Sequence, residues 1–166
     1  MIDATQLFDG VLPNTGTAIT TTRASLNVLD MQTSRDIGNA NRVYCTIRVI
    51  TTFTADGAAT LTIGYQTSNT EGSGYVDLIR SPVIVVANLV AGTKYGFVVP
   101  RNQFNNATTG VLAAPGRYHA LAYTVATGPM TAGAVMAYLS AEPDDDCYYS
   151  YPKNYTAAVV ADQITV

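Results

Sequence analysis

Residues 43–66 read VYCTIRVITTFTADGAATLTIGYQ, and apolar and polar positions alternate through them. Val43, Cys45, Ile47, Val49, Thr51 and Phe53 share one parity, and Tyr44, Thr46, Arg48, Ile50 and Thr52 the other. Leu61, Ile63 and Tyr65 then alternate with Thr60, Thr62, Gly64 and Gln66. A period of two is the mark of strands with one buried face. Asp56-Gly57 lies between the runs and tolerates the positive φ of a tight turn. The pattern predicts an antiparallel hairpin with one wet face. Shorter runs predict strands over residues 25–29, 75–79, 82–87, 94–99, 117–125 and 133–140, punctuated by NTEGSG, Ser81-Pro82, Val90-Ala91-Gly92 and Thr127-Gly128-Pro129. Residues 30–41 and 101–116 read as loops. No 3.6-residue period persists beyond about two turns, and no internal repeat is found. The expectation is an all-β fold: a jelly-roll β-sandwich of about eight antiparallel strands, with strand order left open. Ile47, Val49, Leu61, Ile63, Leu121 and Leu139 are expected in its core.

The two ends differ from this middle. Residues 1–22 are polar and Thr-rich and read as an N-terminal extended arm or a weak edge strand. Residues 23–141 form the sandwich domain. Residues 142–166, EPDDDCYYSYPKNYTAAVVADQITV, carry three consecutive acids and four of the eleven tyrosines. Tyrosine joins contact area to a polar tip at low entropic cost, which suits an interface. The tail therefore reads either as an arm reaching a neighbouring subunit or as a strand packing on its own domain.

Composition narrows the function. A chain of 166 residues fits one domain and can bury a core without disulfide or metal. Charged residues are 13%, about half the usual share, with threonine in their place. A surface poor in charge is covered by another protein at low desolvation cost. The net charge of −3 and the absence of any basic run argue against nucleic acid. The start, MIDATQLFDG, has no basic n-region, so synthesis in the cytosol is expected. Residues 83–87, the densest apolar run, are too few to span a bilayer. Cys45 lies on the apolar parity and reads as a buried thiol, and both Cys45 and Cys147 are expected reduced.

Catalytic groups are sparse. The one histidine, His119, shares parity with Leu121, Tyr123 and Val125, which suits a core or edge position better than a general base. Gly72-Ser73-Gly74 lacks the frame of a nucleophile elbow. Zinc needs about four N or S ligands, and only three scattered candidates exist. The run of residues 144–146, three aspartates, lacks EF-hand spacing and its closing glutamate. No phosphate-binding glycine motif is present. The expectation is a non-enzyme with no cofactor and no metal site, and with no nucleic-acid or membrane partner.

Several segments, taken in order, resemble the Bbp16 family of phage capsid cement proteins: Met1-Ile2-Asp3 with Gln6-Leu7-Phe8; LNVLD at 26–30 followed by Arg35-Asp36-Ile37-Gly38; ATLTIGYQTSN at 59–69; LVAGTKYGFVVPR at 89–101; Arg117-Tyr118 through Val125; and Thr131-Ala132-Gly133 with Val135 onward. The resemblance runs from residue 1 to about 141. The loop 104–116 and the tail from Glu142 are longer than the family pattern, and His119 stands where it tends to have an aliphatic residue. The resemblance implies a jelly-roll protein on the outer surface of the virion head. It would be made in the host cytoplasm and would assemble as a homo-oligomer (dimer favoured, trimer possible) that clamps the major capsid protein. The candidate partner contacts are Leu7, Phe8, Arg35, Asp36, Phe104, Tyr148, Tyr149 and Tyr151. The competing expectation is a recognition module of the virion, carbohydrate-binding or fibre-associated, with the tail tyrosines in place of the missing tryptophan.

Overall fold

The computed structural model describes residues 4–31, 43–99, 104–105, 112–113, 115–141 and 147–150. Among them there are strands and two single-turn 3-10 helices only. The strands are β1 (Leu7–Asp9), β2 (Thr17–Ala18), β3 (Arg23–Ala24), β4 (Leu29–Asp30), β5 (Val43–Ala55), β6 (Thr60–Ser68), β7 (Val76–Arg80), β8 (Ile84–Val85), β9 (Lys94–Val99), β10 (Phe104–Asn105), β11 (Leu112–Ala113), β12 (Tyr118–Ala126), β13 (Met130–Ser140) and β14 (Cys147–Ser150). One sheet has the order β1-β13-β5-β9-β14, with β2 also on β13. The other has the order β3-β12-β6-β7, with β4 also on β12 and β8 on β6. All pairings are antiparallel except that of β14 with β9. The protein is all-β, two sheets sharing one core.

The expected hairpin at 43–66 is not formed. Both strands exist, but β5 pairs with β13 and β9, whereas β6 pairs with β12, β7 and β8. The Asp56-Gly57 turn carries the chain from one sheet to the other. Gly57 does adopt the expected positive φ, 114°. A sandwich permits this because each strand buries its apolar parity against the facing sheet wherever its ladder partner comes from. Ile47, Val49, Leu61, Ile63, Leu121 and Leu139 are all buried, as the parity predicts. Thr51 departs from it and is exposed. Register shifts between β5 and β13 around Ala132–Val135 turn that part of β5. Gly133, at φ 140°, stands beside them. A Cβ there would lie 2.2 Å from Phe53 Cδ1, so the glycine leaves room for the Phe53 ring.

Of the two expected forms of the N-terminal residues, residues 4–22 take the weak edge strand and not the extended arm. β1 and β2 both pair with β13, and Phe8 and Ile19 are fully buried in the main core. Leu7 is buried in a second cluster with Met136 and Tyr138, against which Leu12 and Ile50 pack. Asp9, at 0% exposure, ties the sheets together: Arg23 on β3 donates to its Oδ1 at 2.8 Å and Tyr123 on β12 donates to its Oδ2 at 2.8 Å. The Arg23 guanidinium also lies 5.1 Å from the centroid of the Tyr123 ring. Desolvation first, then the Asp9 charge, push the Tyr123 phenol well above its ordinary pKa, so it stays a donor. The region read as a loop at 101–116 contains the small β10–β11 ladder.

Candidate functional site

The strand ends show what the fold presents for contact. Tyr118 opens β12 opposite Asp30, the end of β4, and opposite Ser68, the end of β6. Val43 opens β5 opposite Val99, the end of β9. The roots of three connecting segments, 31–42, 69–75 and 100–117, therefore meet at one end of the sandwich.

Those roots are knitted together. The Arg117 guanidinium donates to both carboxylate oxygens of Asp30, Nε to Oδ1 at 2.8 Å and a terminal nitrogen to Oδ2 at 2.6 Å. Its guanidinium carbon lies 5.0 Å from the centroid of the Tyr118 ring. The forked geometry fixes orientation as well as charge. The hydrogen bond to Asp30 is the largest of the influences holding the guanidinium protonated. The Met31 amide donates to the Arg117 carbonyl at 2.9 Å. The Gly116 amide donates to Thr67 Oγ1, whose hydroxyl donates to the Tyr118 carbonyl. On the third segment, Ser68 Oγ donates to the Ser73 carbonyl and accepts from the Thr70 amide. Residues 69–74 are exposed, while the Tyr75 hydroxyl is buried with no hydrogen-bond partner.

His119 belongs to this support. It is buried, as its parity predicts, with Nε2 3.0 Å from the Gly116 carbonyl and Nδ1 2.8 Å from the Tyr65 hydroxyl. A carbonyl only accepts, so Nε2 carries the proton, and Nδ1 accepts from Tyr65. Burial lowers the His119 pKa, opposed by the bond to Gly116, and burial pushes the Tyr65 phenol well up. The pair is neutral and braces the end of segment 100–117. Among the described residues no group of three or more His, Cys, Asp or Glu side chains is placed to hold a metal ion.

The candidate contacts divide as follows. Leu7 and Phe8 are buried, so neither offers a surface to a partner, and the reading of both as contacts is corrected. Packing against β13 and Tyr65 uses the side chains that were assigned to binding. Arg35, Asp36 and Tyr151 lie outside the described residues. Phe104 lies on β10 opposite Ala113. Tyr148 and Tyr149 lie on β14 at register positions opposite Tyr95 and Gly96. For residues 147–150 the tail therefore packs on its own domain, the second of its two expected arrangements. Cys45 is a fully buried thiol. The Asp30–Arg117 clamp was not foreseen, because its partners are 87 residues apart and each stands at the edge of a strand with no local pattern to join them.

Among curated proteins none matches the chain. A family model described as Bbp16 matches residues 14–139, well over half of the chain and from the residues before β2 almost to the end of β13. Bbp16 is a phage-related family and points to a phage structural protein. By that match, the chain belongs to the Bbp16 family.

Proposed function

We propose that this protein is a capsid cement protein. It binds the outer surface of an assembled phage head, clamps neighbouring major capsid protein subunits and stabilises the shell without catalysis. The observation that carries the reading is the family match across almost the whole sandwich. Three features support it. First, with β1–β2, β3–β4, β5, β6, β7–β8, β9, β12 and β13 taken as segments 1 to 8, and β10, β11 and β14 as additions, the sheet orders are 1-8-3-6 and 2-7-4-5, which supports the jelly-roll reading. Second, three connecting segments leave one end of the sandwich from roots fixed by the Asp30–Arg117 fork and the His119 bonds. A rigid base that presents loops suits binding rather than turnover. Third, the one imidazole is bonded through both nitrogens inside the protein, which suits a structural brace better than an external base.

In this reading the head is contacted by that end, through the segments that contain Arg35, Asp36 and Phe104. Many copies on a lattice need only a modest interface each, because linked sites raise avidity without new contacts. Binding to the assembled form alone then stabilises assembly by mass action. The test is a full-length variant with Arg35, Asp36 and Phe104 all replaced by alanine. It should melt like wild type yet fail to co-sediment with heads that lack the protein. Undiminished sedimentation would remove that end of the sandwich as the binding surface.

A further inference from the structure

The dipeptide Asp-Gly occurs twice in the chain, as Asp9-Gly10 and as Asp56-Gly57, and Asn-Gly does not occur. Asp-Gly links are labile. Glycine has no side chain to shield its amide nitrogen, and its backbone turns freely. That nitrogen can attack Cγ of the preceding carboxyl group in its acid form. A C–N bond forms, the amide proton and the carboxyl hydroxyl leave together as water, and a succinimide ring results. A second water then opens the ring. Opening at the side-chain carbonyl restores aspartate. Opening at the main-chain carbonyl leaves the chain running through Cβ and Cγ, as isoaspartate with a free α-carboxylate.

The sequence marks both pairs alike, and the folded structure separates them. Asp9 is fully buried, and both its carboxylate oxygens are engaged. Arg23 and the Leu26 amide donate to Oδ1, at 2.8 and 3.3 Å, and Tyr123 donates to Oδ2 at 2.8 Å. The nitrogen that would attack is also in use, since the Gly10 amide donates to Thr17 Oγ1 at 2.9 Å. There is no room for rearrangement either. A Cβ on Gly10 would stand 2.8 Å from Met136 Cγ and 2.8 Å from the Thr15 carbonyl oxygen. Ring closure at Asp9 would have to break this network inside the core.

None of these restraints acts at the second pair. Asp56, Gly57 and Ala58 are exposed, and they form a bend without a hydrogen-bonded turn. Among the described residues, the Asp56 carboxylate has no hydrogen-bond or ion-pair partner. No atom lies within 4 Å of where a Cβ on Gly57 would stand, so the ring has open space to form.

We propose that Asp56 is a site of spontaneous isoaspartate formation in the folded protein, and that Asp9 is protected from it. The fold also tolerates the product. Isoaspartate adds one methylene to the main chain, which in a two-stranded hairpin would disturb the register that the turn fixes. Here β5 and β6 belong to different sheets, and no ladder joins them across this turn. The modified turn thus presents an accessible α-carboxylate on an intact sandwich. The proposal is independent of the capsid reading.

The test ages the full-length protein in neutral buffer below its melting transition, with a parallel sample kept unfolded in urea. Each is digested with a protease that cleaves before aspartate but not before isoaspartate, and the peptides are fragmented by electron transfer to locate the isomer. In the folded sample, cleavage before Asp56 should be lost progressively while cleavage before Asp9 persists. In urea both should be lost. Equal loss at the two positions in the folded sample, or none at Asp56, would overturn the proposal. Asp56→Glu should remove the isoaspartate signal from the folded protein, because the larger ring closes far more slowly, and a signal that survives would place the reaction elsewhere. The aged protein should melt with wild type, and a melting temperature that falls as isoaspartate accumulates would overturn the claim that the fold tolerates it.

Discussion

Phe8→Ala separates a folded N-terminus from a free arm. Phe8 is fully buried on β1, with its ring 5.9 Å from Tyr65 and almost perpendicular to it, at 88°. Truncating such a ring costs about 3–5 kcal/mol, from lost transfer energy and the cavity left behind. The edge-to-face pairing with Tyr65 accounts for roughly 0.5–1.5 kcal/mol of that. For a domain of this size each kcal/mol moves the melting temperature by about 2–4 °C, so a fall of about 6–20 °C is expected. The same reasoning makes deletion of residues 1–13 destabilising, because it removes Phe8 together with the Asp9 carboxylate that binds Arg23 and Tyr123. Thermal unfolding followed by circular dichroism is sufficient. A Phe8→Ala melting temperature within about a degree of wild type would refute the placement of β1 in the core.

Three further outcomes follow from named contacts. Asp9→Ala strands the Arg23 guanidinium and the Tyr123 hydroxyl, and urea titration should show a loss of about 3–5 kcal/mol. Gly133→Ala drives a methyl into the Phe53 ring at a positive φ, and should lower stability by about 1–3 kcal/mol in the same assay. His119 has a folded-state pKa below its unfolded value of about 6.5, so the unfolded chain binds the proton more readily. The stability from neutral His119 is therefore complete above about pH 6.5 and is lost as pH falls toward the folded pKa. The stability difference between wild type and His119→Leu in denaturant melts should be constant above about pH 6.5 and shift against wild type as the pH falls below it, and profiles parallel throughout would count against a buried neutral imidazole.

Most of the β-structure was legible because the period of two is a local property. The core positions on β5, β6, β12 and β13 follow from parity alone. Which strands pair is not local. β5 takes its partners from β9 and β13, far along the chain, so a turn-forming Asp56-Gly57 between two good strands reads as a hairpin although it changes sheets. The N-terminal strands were legible only as one of two alternatives, for a related reason. β1 and β2 have only three and two residues, too few for a period to emerge. The available signal was the presence of Leu7, Phe8 and Ile19 in a polar stretch, since large apolar side chains there have to be buried somewhere. Electrostatic ties such as Asp9–Arg23–Tyr123 and Asp30–Arg117 leave no trace in sequence, because each joins residues from strands that meet only after folding. Of the candidate site, the loops were recognisable as loops, but their convergence at one end depends on strand order.

The central claim is that the protein binds and reinforces an assembled head. The most direct measurement mixes the full-length protein with phage heads that lack it, sediments them, and then heats the complex while particle disruption is followed. The account predicts that the protein sediments with the heads in a saturable ratio and raises the temperature at which they break open. Protein left in the supernatant at saturating concentration, with an unchanged disruption temperature, would contradict it.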